Sequence, residues 1–573
     1  MPPVRSLAVL LSLAALGACT TTTSPSAGLR ASEPFETPGD QASTFGLYLA
    51  GQAALDQGHG DEAAGFFAQA ARQDTDTSSI KIHAFVAALV AGDIPRAAAA
   101  APGPDDGSVS EQRLGRLTRA VEALAENHGR EAETLLNTPP LSPSNDAATR
   151  LLLPWAAAAA GDWKTALAAP DPGDDHLVAQ VSLLDQALLY ERRDQIGQAS
   201  QVFGKLLAQS DGAGLYTTAY GEFLQRHGHT ATAINLYQAA LKGDANNGLV
   251  QDALAHAKAG RSPPPAPSFA EGAGRALLAP AALLLAEKQP QLGLVYLRLV
   301  LRLDPKRDEA WLLVGDTLTA GGQIEAARDA YAHPQPGSPS YVSARERLIG
   351  SYDQPSDAPI ELKLAQETAK AAPDDPDAMS LLADALRLND RYAESAQVLD
   401  KLIIEAGPKA SWNLYYMRGV ARDQAGDWDG AERDLKQALA LSPDQPEVLN
   451  YLGYSWVDRG VDLSGAKAMI ERAVAAKPDS GAIVDSLGWA YYRLGQYPQA
   501  VEQLERAAEL EPADPDINDH LGDAYWRDGR RTEARFQWTQ VLIMQPSDKL
   551  RAQVEAKLKF GLDAAPRPAV AER

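Results

Sequence analysis

The chemistry open to this chain begins at its one thiol. Cys19 is the only cysteine in 573 residues. Ahead of it stand a positive start at Arg5, an apolar run over 6–16, and the small residues Gly17 and Ala18. The run is too short to cross a bilayer as a helix, which takes about 20 residues. It suits a secretory leader, whose cleavage site accepts little besides small residues. Cut there, the chain would start at Cys19, and that thiol could take a lipid. The residues alone leave two readings open: a lipidated cysteine, or an ordinary secretory signal with an incidental one.

Other candidate chemistry is thin. His227 and His229 sit in one turn, where exposed histidine is common and a metal role needs more ligands than the sequence offers nearby. Gly272-Ala-Gly274 has two glycines of a dinucleotide pattern but opens no βαβ unit. Asp514-Pro-Asp516 lacks the ligand spacing and closing Glu of a calcium loop. It reads as the cap of the next helix, since Asp favours helix N-termini. The sequence holds no HExxH, no GxxxxGK[ST] and no GxSxG. No catalytic residue, metal or cofactor is expected.

Composition narrows the partners. Net charge is −22 with a pI near 4.9, which argues against nucleic acid and against adhesion to an anionic lipid surface. With no cysteine after Cys19, no disulfide can stabilise the mature chain. Alanine is abundant and β-branched runs are scarce, which favours helix over strand. Residues 20–40 lack periodicity and read as a flexible tether, spanning roughly 25 Å.

Leu16-Gly17-Ala18-Cys19 resembles the bacterial lipoprotein box. The resemblance implies a diacylglyceryl group on Cys19 and an acylated new N-terminus. Several chains on one residue anchor a protein stably, where one holds it only marginally. Thr20 in place of Asp implies sorting to the outer membrane.

The elements that would carry any binding face recur along the chain. Gly453, Gly488 and Gly522 each follow a Leu, at intervals of 35 and 34 residues. Each is followed by an aromatic (Trp456, Tyr491, Tyr525), a turn glycine (Gly460, Gly495, Gly529), a small residue (Ala466, Ala500, Ala534) and a Pro (Pro478, Pro512, Pro546). The pattern resembles the tetratricopeptide repeat of two antiparallel helices. Small residues let the two helices approach, the turn glycine ends the first, and the Pro stops the second. Weaker copies run through Gly419, Ala431 and Pro443, through Gly315, Ala327 and Tyr331, and through Gly221, Ala233 and Tyr237 back to Gly51, Ala63 and Phe67. The expected fold is an all-α, right-handed tetratricopeptide-repeat solenoid of about a dozen helix-turn-helix units.

Expected boundaries are a leader over 1–18, the lipidated Cys and tether over 19–40, and a divergent N-terminal array over 41–245. A Pro-rich linker over 246–272, around Gly260-Arg-Ser-Pro-Pro-Pro-Ala-Pro-Ser268, leads to a C-terminal array over 273–546. A capping helix follows over 547–560, then a disordered tail over 561–573. The linker reads either as a break between two arrays or as a long loop within one.

By resemblance, positions two, five, nine and twelve of each first helix line the concave side. Those residues are Glu447, Asn450, Tyr454 and Val457, then Ala482, Asp485, Trp489 and Tyr492, then Asp516, Asp519, Asp523 and Trp526. Large aromatics there suit a protein-binding groove, and the aspartates suit a basic partner segment. The alternative is burial of these side chains between adjacent repeats.

The stretches over 450–456, 483–495, 517–527 and 533–538 are similar to the tetratricopeptide outer-membrane lipoproteins of proteobacteria. One such relative is the adaptor of a periplasmic carboxyl-terminal processing protease. The resemblance implies a non-enzymatic scaffold on the periplasmic face of the outer membrane, holding the protease near its peptidoglycan-hydrolase substrates. Its partners would be proteins, with the membrane reached through the lipid. An assembly factor for outer-membrane proteins and a regulator of an envelope synthase remain alternatives, and an enzyme with scattered site residues a remote one.

Overall fold

The computed structural model describes residues 43–563 apart from 57–58, 75–77, 104, 140–146, 170–175, 210–213 and 246. The leader, Cys19, the whole tether and the tail beyond 563 lie outside the described residues. Among the described residues 79% are helical and none is in a strand, as the composition implies. The chain forms two compact units, one through Ser351 and one from Tyr352.

The hairpins form for a reason that recurs. At Gly488 an added Cβ would lie 2.5 Å from Leu504 Cγ on the second helix, so only hydrogen fits. Gly495 then closes the turn at φ 74°, a left-handed conformation that glycine adopts without steric cost. The second helix stops at Leu510, just before Pro512. The same contact joins Gly522 to Trp538, Gly453 to Ile470, and Gly315 to Tyr331. In four weaker repeats the left-handed turn is held by Asn127, Asp194, Lys288 and Asp390.

The second unit is the more regular. After the helix Ala358–Ala371 come five hairpins: Pro376–Leu388 with Tyr392–Ala406, Trp412–Gln424 with Trp428–Leu441, and Pro446–Arg459 with Leu463–Ala476, then Gly481–Arg493 with Tyr497–Leu510 and Pro515–Arg527 with Arg531–Ile543. Asp514 caps the last first helix, accepting from the backbone N–H groups of Asp516 at 2.9 Å and Ile517 at 3.0 Å. The helix Asp548–Phe560 closes the unit where a capping helix was expected. Its Leu550 and Val554 are buried against Ala534, Trp538 and Val541.

The first unit departs from expectation. Six hairpins run from Thr44–Asp56 to Thr230–Gly243. The supposed linker then opens with a helix, Gly248–Lys258, capped by the Asn247 side chain and anchored by buried Val250 and Ala257. Among the described residues of that stretch, only Asn247 and 259–268 carry no helix. The next hairpin, Phe269–Ala286 with Pro290–Leu303, does not begin a separate array. It packs against the first helices of earlier hairpins: Ser78–Ala91, Val109–Ala125, Ala147–Ala160 and His176–Arg192. The division between compact units falls after Ser351 instead. The cause is composition. Phe269–Ala286 buries Gly272, Ala273, Gly274, Ala276, Leu277, Pro280 and Ala281, and a helix apolar over most of its surface must find cover. Its length and hydropathy would also let it cross a membrane, yet it carries Glu271 and Arg275 and seats Arg275 on buried Asp185 at 3.1 Å.

Candidate functional site

The first helices of the second unit present the side chains expected to form a groove, and neighbouring repeats already engage many of them. Asp485 is buried, and both its oxygens lie 3.0 Å from His520 Nδ1 on the next repeat. Asp519 and Asp523 are buried too, and share the Lys557 ammonium of the capping helix at 2.7 and 2.8 Å. Asp523 also accepts from Trp538 Nε1 at 3.2 Å. Glu447 pairs with Lys477, whose hydrogen bond holds the carboxyl below its ordinary range. These four acids were expected to face a partner. The repeats themselves satisfy them, and for the three buried aspartates a carboxylate without a cation beside it would be costly.

This network is strongly polarised. Burial works against a charged His520, but Asp485, with Asp519 and Asp523 behind it, holds the imidazole up at about 9. Burial pushes Asp523 up to about 6, with Asp519 adding to the push and Lys557 opposing it. A single ammonium serves two carboxylates, so one of them keeps its proton well above the usual range.

The aromatics stack along the same face. Trp489 lies between Tyr492 (centroids 4.6 Å apart, 8° between planes) and His520 (4.2 Å, 18°). Both faces of the indole are thereby covered. Trp489 Nε1 and Asn450 Oδ1 are shut away from water without a hydrogen-bond partner among the described residues. Trp526 donates to Asp563 at 3.0 Å and packs on Trp538, so the segment after the capping helix covers it. Tyr454 is half-buried. Burial, and then the charges of Asp485, Asp458 and Asp516, push its hydroxyl well above its ordinary range. Asp458 and Asp516 remain exposed. The side chains still open to an incoming polypeptide include Tyr454, Ala482, Asp516 and Asp458, the last an exposed carboxylate 3.6 Å from Arg493, with the edge of the Trp489 stack beside them.

Sequence reasoning missed the cations. His520 and Lys557 sit 35 and 38 residues from the acids they meet. A residue at the fifth position of one first helix therefore meets one at the sixth of the next, a register that the repeat length alone could have suggested. A second cluster lies one hairpin earlier. Arg418 reaches Asp400 at 2.7 Å and Asp434 at 2.8 Å, and Arg422 reaches both at 2.9 Å. In the first unit His227 lies 3.0 Å from Glu191 beside Arg226, an ion-pair setting.

Two repeat models match the second unit. A model described as tetratricopeptide repeat matches 362–411 and 416–481, and one described as TPR repeat matches 488–529. No curated protein matches the chain. Among solved structures, a chain of the Cut9–Hcn1 hetero-tetramer of the APC/C is similar at 15% identity, with 90% of this chain and 96% of that one covered and a TM-score of 0.37. MamA of Desulfovibrio magneticus RS-1 is similar at 20% identity over 30% of this chain and 97% of that one, with a TM-score of 0.27. MamA AMB-1 is 22% identical over 30% of this chain and 96% of that one, at 0.26. These scores are too low to argue from, and the fold rests on the repeat models and the helix packing. Each unit is thus an all-α array of helical hairpins, in the second unit matched as tetratricopeptide repeats, an architecture that serves as a protein-interaction scaffold.

Proposed function

We propose that the chain is a lipid-anchored scaffold on the periplasmic face of the outer membrane. It binds polypeptides in its second unit and catalyses nothing itself. The observation that carries this reading is the contrast within that unit. Lys557 and Asp563 cover Asp519, Asp523 and Trp526 of the last hairpin, whereas Tyr454, Asp458 and Asp516 keep an aromatic and acidic opening. Such an opening favours a segment bearing Lys or Arg, since complementary charge sets specificity and encounter rate. The leader and Cys19 support the anchored placement. The similarity over 450–456, 483–495, 517–527 and 533–538 supports recruitment of a carboxyl-terminal processing protease together with cell-wall hydrolases. Holding both on one scaffold raises their effective concentration without new chemistry.

The test is capture by the immobilised mature chain from a proteobacterial envelope extract. The chain should retain a processing protease and a peptidoglycan hydrolase together. Asp458→Lys with Asp516→Lys should weaken capture roughly tenfold at unchanged helicity. Unchanged capture would refute the placement of the groove, and substrate turnover by the purified chain alone would refute the scaffold reading. Cys19→Ser should move the protein from the membrane fraction to the soluble one.

A further inference from the structure

The inner face of the first unit is already filled, and what fills it is part of the chain. The hairpin over 269–303 lies against four successive first helices, and its arginines reach out from both of its helices. Arg298 Nε donates to the Val90 carbonyl at 3.2 Å, on Ser78–Ala91. Arg302, four residues on, binds both oxygens of Glu122 at 2.7 and 2.9 Å and also meets Glu126. Arg275, on the other helix of the hairpin, meets Asp185 on His176–Arg192. Between these contacts Gly272 lies so close to Trp155 that any side chain would run into the indole. The array also grips the approach to the hairpin. Arg192 donates to the Pro267 carbonyl at 2.7 Å, and Arg226 to the Pro264 carbonyl at 3.0 Å.

The two surfaces match in shape and in charge. The array contributes Glu122, Glu126 and Asp185; Arg302 of the hairpin serves the two glutamates and Arg275 the aspartate. Of the two glycines that read as a stray nucleotide motif in the sequence, Gly272 lets the hairpin close on Trp155 of the array, and Gly274 lies against the hairpin's own second helix. We infer that the inner face of the 44–258 array is an acidic polypeptide-binding groove held permanently by the chain's own arginine-bearing hairpin. The first unit then offers no open groove, and partners bind elsewhere. The seated hairpin also shows what this surface recognises: a small-residue helix paired with one carrying arginines a helical turn apart.

The inference does not depend on the function proposed above, and its test reads no partner binding. A site-specific protease sequence is inserted between Pro265 and Ala266, in the exposed stretch before the hairpin, and the folded full chain is cleaved there. The two pieces should stay together as one particle of unchanged size on dilution and gel filtration. Arg298→Glu with Arg302→Glu should make the cleaved pieces separate roughly tenfold faster or more. A labelled synthetic peptide of residues 269–303 should not bind the uncleaved chain. Spontaneous separation of the unsubstituted pieces would overturn the inference, as would a charge-reversed variant that separates no faster. Peptide binding to the uncleaved chain would show that the hairpin exchanges, and a particle of doubled size would show it seated on a second copy. Either result overturns permanent occupation in cis.

Discussion

His520 gathers the acidic face of the second unit into one titrating group. Its imidazole is held up at about 9 in the folded chain, against about 6.5 when unfolded. A raised histidine stabilises the fold fully below the unfolded value and loses that contribution as pH rises through the folded one. Asp523, raised to about 6, adds a cost of ionisation that sets in between its unfolded value near 4 and about 6. Both effects make the unit less stable as pH rises. Denaturant unfolding of the second unit at pH 6.5 and pH 9.5 should show a loss on the order of 3 kcal/mol. In Asp485→Asn most of that dependence should vanish. A flat profile in the parent chain would mean that His520 is not held charged. None of this coupling was legible locally. The aspartates were visible at their helix positions; the His520 contact follows the repeat length, whereas Lys557 comes from the capping helix, outside the repeat, where no periodicity announces it.

At the scale of the element, glycines in the first unit do opposite things in neighbouring helices. In Gly214–Arg226, an added Cβ at Gly221 would strike the Tyr237 ring of the second helix. In Ile196–Gln209, Gly204 is exposed and a Cβ there would meet open space. Gly221→Ala should therefore destabilise the unit by roughly 1–3 kcal/mol through overpacking, although alanine is the better helix former. Gly204→Ala should stabilise it by up to about 1 kcal/mol. Urea midpoints of the two variants should move in opposite directions, and a shared direction would show that propensity and not helix approach governs Gly221. The repeat was easiest to read where glycine holds both the approach and the turn. It faded at Asn127, Asp194, Lys288 and Asp390, where a residue with a side chain takes the left-handed turn. The backbone kept the geometry while the sequence lost the mark that announces it.

For the molecule, the compact units divide after Ser351, and the Pro-rich stretch near 260 separates nothing. A protein comprising 352–573 should fold alone, helical and with a cooperative transition, because its five hairpins and capping helix bury their own core. A protein ending at residue 260 should expose the face around Trp155 that the hairpin otherwise covers, and should aggregate or bind apolar dyes. A well-behaved 44–260 fragment would contradict this. A Pro-rich run shows where helix stops. It carries no information about which surface the next helix will cover.

The sequence by itself determined the class of structure: stacked helical hairpins, with caps, turns and close approaches at fixed positions. These depend on contacts within one repeat, where each residue type answers to the backbone and to its near neighbours. Only the tertiary structure decided which acids are already paired, which aromatic rings have no free face, and which hairpin fills the inner side of the first unit. Those outcomes depend on charges and surfaces brought together from 30 to 208 residues apart, where burial makes an unpaired carboxylate or an uncovered apolar helix too costly to leave alone.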